Sequence, residues 1–280
     1  MNYPNFREVL TRANGPFDKY DALTLEANKR FSNGLQMFNN YTFSKNITNA
    51  LGAAPSSAIP IGGQGDNGGN VANAYNIQAD SGNARYDPRQ RFVSTFVYDL
   101  PFGRNKQFLG GISRGANLAI GGWHVTGVAL FQTGSWLTPY FPSSLSDPSG
   151  TFPSDRSVSN QRPDCNGQTG YLSNPTTVDY FNVSAFSVPA SNIGRFGNCG
   201  VGILQGPPTQ TFFMSAGKSF FLTERVELKY EAQFSNLFNI LNKAIPNMNV
   251  SSSSFGQITQ AQDVQQAGPR SIQMQLRLRF

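Results

Sequence analysis

The sequence predicts an all-β fold, an antiparallel up-and-down sheet that crosses a membrane as part of a transmembrane β-barrel. Three observations predict it. Residues 270–280 alternate without a break, Ile272, Met274, Leu276, Leu278 and Phe280 against Ser271, Gln273, Gln275, Arg277 and Arg279. A period of two places these sets on opposite faces of a strand, one apolar and one polar. A strand with lipid on one side and water on the other requires that pattern. Similar segments recur at roughly 9 to 12 residues, the length a tilted strand needs to cross a bilayer, whereas soluble strands more often run about 5 or 6. The connections between segments also alternate in length, so all the long ones emerge at one end of the sheet.

A short candidate strand at 6–12 comes first. Residues 21–31 set Leu23, Leu25 and Ala27 against Thr24, Glu26, Asn28 and Arg30. Ser32-Asn33-Gly34 follows as the strongest hairpin signal in the chain. The return strand carries Leu35, Met37, Tyr41 and Phe43 against Gln36, Asn40, Thr42 and Ser44, with Phe38 and Asn39 out of phase. Residues 90–100 show Phe92, Phe96, Tyr98 and Leu100 against Arg91, Thr95 and Asp99. Residues 123–133 show Trp123, Val125, Ala129 and Phe131 against His124, Thr126 and Gln132, while Val128 and Leu130 interrupt the polar face. Residues 212–220 offer Phe212, Met214, Ala216 and Phe220. The cleanest internal case is 225–235, with Val226, Leu228, Tyr230, Ala232 and Phe234 against Glu227, Lys229, Glu231 and Gln233. With the terminal segment this makes about eight strands. Tight turns are expected at 32–34 and 222–224, a medium connection at 101–122, and long external loops near 45–89, 137–211 and 236–269. Within them, residues 58–73 with a Gly-rich run at 61–69, and residues 137–163, rich in Ser, Pro and Asp, lack a hydrophobic period and read as water-facing surface.

Composition narrows the function. Hydrophobic residues make up 39% of the 280, and mean hydropathy is −0.34. No run approaches the roughly 18 apolar residues of a spanning helix, so a helical membrane protein is excluded. The net charge of +6 comes from 22 scattered Lys and Arg with no basic stripe, so no nucleic-acid partner is expected. His124 is the single histidine, which leaves no Ser-His-Asp set and no zinc site. Gly217-Lys218-Ser219 resembles the end of a P-loop, but position 212 holds Phe where that motif needs glycine. Glu224, Glu227 and Glu231 offer no acid/base set, since Glu227 and Glu231 share a strand face with Lys229 that reads as a water-lined wall and no positioned partner accompanies them. The N-x-[ST] triplets at Asn40, Asn46, Asn182 and Asn249 are chance matches in an Asn-rich chain. No catalytic residue, cofactor or metal is expected. Cys165 and Cys199 read as one disulfide closing a loop in an oxidising compartment, with two unpaired thiols as the alternative. The N-terminus has neither a basic nor an apolar signal region, so an outer location implies a fragment or an upstream start.

Several pieces, in order and spacing, resemble one family. They are Tyr20-Asp-Ala-Leu-Thr-Leu-Glu-Ala-Asn-Lys-Arg-Phe-Ser-Asn-Gly34, Asp87-Pro-Arg-Gln-Arg-Phe92 and Gly121-Gly-Trp-His-Val125. Leu222-Thr-Glu-Arg-Val226, Phe234-Ser-Asn-Leu-Phe-Asn239 and Gly268-Pro-Arg-Ser-Ile-Gln273, with the terminal Phe280, complete the set. Together they are similar to the C-terminal end of TonB-dependent outer-membrane receptors of the Oar-like group. The resemblance implies a barrel of about 22 strands, plugged by an N-terminal domain and energised through the TonB complex, that takes up a scarce solute from outside. This chain resembles roughly the last third of such a barrel, without plug or TonB box. Its polar strand faces would then line the lumen through Glu26, Arg30, Arg91, Glu227, Lys229, Glu231, Arg277 and Arg279. Leu276, Leu278 and Phe280 would form the terminal signal read by the barrel assembly machinery. Trp123, Trp136, Tyr140, Tyr98 and Phe280 would supply aromatic girdles where the barrel meets outer-membrane lipid. The rival reading is a secreted soluble all-β adhesin, whose apolar strand rows would be covered by a second layer of protein.

Overall fold

A computed structural model describes residues 15–49, 76–150, 160–221, 226–262 and 267–280. The candidate strand at 6–12, the Gly-rich stretch 58–73 and Glu224 lie outside the described residues. Seven long strands dominate: β1 (Asp18–Ser32), β2 (Leu35–Thr48), β3 (Gln90–Asp99), β4 (Trp123–Gln132), β5 (Thr209–Phe221), β6 (Glu227–Ser235) and β7 (Ser271–Arg279). Each pairs antiparallel with the next in sequence, so the sheet is an up-and-down meander from β1 to β7. The pair Gly82–Asn83 adds a short eighth strand beside β2. The sheet is open, with β1 and β7 as its edges and every residue of both exposed. It is a partial barrel wall.

The β1–β2 hairpin shows how local chemistry sets register. Asn33 and Gly34 take φ of 51° and 79°, the pair of positive angles a two-residue type I′ turn needs. A side chain at Gly34 would also place its Cβ 2.6 Å from the Asp99 carbonyl oxygen of β3. At the opposite end β2 outruns its predicted length. There Ser44 donates to Pro88 O at 3.0 Å, Asn46 to Asp87 Oδ2 at 2.6 Å, and Thr48 to Phe17 O at 2.7 Å. Polar side chains can be buried at that end because each of these finds an acceptor.

The connections sort by end. The strand ends joined by the β1–β2 turn, by residues 100–122 and between β5 and β6 lie at one rim; the described parts of the connections 49–89, 133–208 and 236–270 leave from the other. Residues 100–122 contain a short helix, α1 (Arg114–Ile120), where the sequence suggested only a medium loop. Ser113 caps it, its Oγ accepting from Ala116 N at 3.2 Å.

The long connections are not plain surface material. Leu137, Phe181, Ala185, Phe186, Cys199, Leu204, Met248 and Phe255 form a buried cluster drawn from two of them. Two-residue ladders stitch it: Trp136–Leu137 with Leu204–Gln205, and Asp164–Cys165 with Phe186–Ser187. Tyr140 and Met248 join the two connections, since Tyr140 N donates to Met248 O and Val250 N to Tyr140 O. The third is tied in by Arg162, whose guanidinium pairs with Asp80 and donates to Ala79 O at 3.1 Å. The principal hydrophobic core therefore sits in a folded cap at one rim, while the sheet carries most of its large apolar side chains on one face.

Candidate functional site

Directly paired residues share a face, so the registers define two faces across all seven strands. One carries Leu23, Leu25, Met37, Tyr41, Phe92, Phe96, Tyr98, Val125, Phe131, Phe212, Met214, Leu228, Phe234, Met274, Leu276 and Leu278. Its edge rows are bare: Leu25 is 56% exposed and Met274 68%. No second protein layer covers them among the described residues, so the soluble adhesin reading loses its premise. Asn39, which the sequence placed out of phase, does face this side. Its amide donates to Ala27 O at 2.9 Å and its carbonyl accepts from Ser94 on the same face at 2.8 Å, so neither polar group meets hydrocarbon unpaired.

Aromatic rings form two rows on this face. Towards the cap, Phe92 and Phe131 stand 6.2 Å apart, Phe131 and Phe212 5.2 Å, and Phe212 and Phe238 4.9 Å between ring centres. Towards the turns, Trp123 meets Tyr230 edge-on at 6.3 Å. Trp123 and Phe131 are eight positions apart on β4. At about 3.4 Å per residue and a tilt near 40°, the rows are roughly 20 Å apart along the membrane normal, close to the apolar band of an outer-membrane barrel. Tyr98 and Trp123 belong to this face. Trp136 and Tyr140 do not, because both lie in the cap, Trp136 beneath Arg89 and Tyr140 against the buried cluster.

The opposite face carries Glu26, Arg91, Glu227, Lys229, Glu231, Arg277 and Arg279. Glu26 accepts from Asn40 at 3.3 Å, Arg279 approaches Glu227 to 3.6 Å, and Lys229 approaches Glu231 to 3.6 Å. Arg30 falls where the β1–β2 register shifts between Lys29 and Ser32, so pairing does not assign it a face. At mid-height this face turns apolar: Phe38, Val128 and Phe213 share one row and Val93 and Leu130 the next.

In the cap, Cys165 and Cys199 are joined in a disulfide with a Cα separation of 5.0 Å. Beside it Arg195 grips Asp164 with two bonds of 2.7 Å, which holds the Asp164 carboxyl below its ordinary range. Tyr86 donates to Asp18 at 2.5 Å; burial first, then that bond and its charge, push the phenol up to about 12.

These two faces and the sorted rims suit a membrane barrel wall, and the family comparison agrees. The family model of an outer membrane beta barrel domain matches residues 1–273. The chain belongs to this family. No curated protein and no solved structure gives a significant match. As an outer membrane beta barrel domain, the chain resides in the outer membrane with its bare apolar face against lipid. In such barrels the short turns face the periplasm and the long loops the outside, an orientation that would put the cap outside and α1 on the periplasmic rim.

Two features of this barrel wall escape the alternation pattern. Lys218 lies on the lipid side in phase with Met214, Ala216 and Phe220, opposite Trp123 and Tyr230. Its phase in the sequence was the available signal. The cap cluster left none, because its members come from distant, aperiodic positions.

Proposed function

We propose that this barrel domain forms the C-terminal part of a TonB-dependent uptake receptor, providing wall and external cap for the passage of a scarce solute. The observation that carries the reading is the mixed inner face. An open aqueous pore favours polar residues throughout, whereas here charges flank an apolar belt of Phe38, Val93, Val128, Leu130 and Phe213 at mid-height. Such a belt suits a wall packed against a plug. Glu26, Arg91, Glu227, Lys229, Glu231, Arg277 and Arg279, with Arg30 beside the register shift, would meet plug or solute through water and hydrogen bonds, without bond chemistry. The disulfide-braced cap would meet the solute first. TonB would act through an N-terminal plug. The barrel assembly machinery would take hold at β7, an edge strand whose Leu276, Leu278 and fully exposed Phe280 stay open to pairing.

The test is uptake by cells of a labelled ferric siderophore, maltooligosaccharide, oligopeptide and corrinoid, with and without the gene and with and without a protonophore. Uptake that needs both the gene and the proton gradient supports the proposal. Gene-dependent entry that ignores the protonophore would replace it with a passive pore.

A further inference from the structure

The periplasmic rim carries a feature that neither wall nor cap explains. Lys218 points into the lipid-side row yet is only 2% exposed. Its ammonium donates to Leu118 O of α1 at 2.6 Å and sits 5.5 Å from the Trp123 ring centre and 5.0 Å from that of Phe220. Trp123 Nε1 donates to the next carbonyl, Ala119 O, at 2.9 Å. A cation at the helix C-terminus satisfies carbonyls that have no intrahelical partner. Two donors from the sheet thus hold the end of α1 on the outside of the wall, level with the Trp123–Tyr230 row.

Held there, α1 and the chain leading to it present apolar side chains to the surroundings. Leu118 is 61% exposed and Ile120 42%, and Phe102, Phe108 and Leu109 are exposed beside them, the two Phe rings 5.6 Å apart. Between Pro101 and Gly122 the sequence carries Arg104, Lys106 and Arg114 and no acidic residue, and all three cations are exposed. We infer that residues 102–120 form an interfacial anchor that docks on the phospholipid headgroups of the periplasmic leaflet. Phe102, Phe108, Leu109, Leu118 and Ile120 enter the tops of the acyl chains while the three cations take headgroup phosphates. Two arguments select lipid as the occupant. The patch is continuous with the aromatic row that the wall already presents to the bilayer. Its uncompensated positive charge complements phosphate, and aromatic and apolar residues mixed with Lys and Arg are what an in-plane interfacial segment needs. The inference rests on membrane insertion, not on transport.

Native thiols do not interfere with labelling, because Cys165 and Cys199 are bonded to each other. A nitroxide on Leu118→Cys in the full chain, folded into phosphatidylethanolamine/phosphatidylglycerol vesicles, reports depth through collisions with oxygen and with an aqueous nickel complex. Ser173→Cys, exposed in the cap, is the water reference. The Leu118 label is expected to be oxygen-rich and nickel-poor. Neutralising Arg104, Lys106 and Arg114 to Gln should raise its water-accessible fraction roughly fivefold per charge removed, the strength of one basic side chain at an anionic surface. A Leu118 label as wet as the Ser173 label would overturn the inference, as would a depth unchanged by the triple substitution. Protection seen only in native outer-membrane fragments, and absent from pure lipid, would assign the surface to a protein and overturn it too. Heat-modifiable gel mobility of each variant reports insertion separately, so a failure of the barrel itself is distinguishable.

Discussion

Met214 offers the sharpest test of which side faces lipid and where the hydrocarbon lies. It pairs with Gly127 of β4 and Phe234 of β6 on the apolar face, four positions from Lys218 and four from Gln210, which pairs with Phe131. Four residues at about 3.4 Å, tilted near 40°, put it roughly 10 Å from either aromatic row, beyond easy reach of water for a guanidinium. Met214→Arg should cost about 2–4 kcal/mol. Leu228 lies on the same face but two positions past Tyr230 towards the turn, at or below the periplasmic row. Leu228→Arg should therefore cost only about 0–1 kcal/mol. Lys229→Gln, on the inner face, loses one partly exposed ion pair with Glu231 and should cost under about 1 kcal/mol. Urea titration of the chain folded into vesicles, followed by tryptophan fluorescence, measures all three. A Leu228→Arg penalty equal to that of Met214→Arg would refute the placement of the rows. Equal penalties at Met214 and Lys229 would refute the assignment of faces.

Further predictions concern the cap. Replacing Cys165 and Cys199 by Ser releases a loop of sequence separation 34, worth up to about 4 kcal/mol on a chain-entropy estimate. Limited proteolysis should then cut the cap while leaving the sheet intact, and equal loss of protection in both would refute the cap as a separate unit. Arg162→Ala removes the buried partner of Asp80 and should cost about 3–5 kcal/mol. Hydrogen exchange should accelerate first at 76–83 and 160–165, and uniform acceleration would contradict a local tie between Arg162 and Asp80. Because the Asp164 carboxyl is held low by Arg195, its contribution is complete above the ordinary carboxylate value near 3.9 and is lost as pH falls through the lower folded value. Near-ultraviolet dichroism should show the cap loosening only below about pH 4, and Asp164→Asn should remove that step.

The two faces were legible because a strand has a side-chain period of two, so Leu228, Tyr230, Ala232 and Phe234 declare their common side whatever their partners. The β1–β2 turn was legible for an equally local reason, the positive φ that Asn33 and Gly34 tolerate. Rim sorting followed from the order of long and short connections. Phe38 and Asn39 broke the pattern, and their explanation needed a neighbour: Asn39 is tolerable because β1 and β3 bring Ala27 O and Ser94 to it.

Alternation along each strand thus determined by itself that the sheet has one oily and one wet side, because that pattern depends only on backbone geometry and transfer from water. Tertiary structure alone decided three other things. Leu137, Phe186, Met248 and Phe255 meet in one core within the cap although more than a hundred residues separate the first from the last. Lys218 survives on the lipid side because α1 returns a carbonyl to it. Strand register lines up the rings of neighbouring strands into two rows. Each depends on groups distant in sequence arriving at one place, and no local period encodes such arrivals.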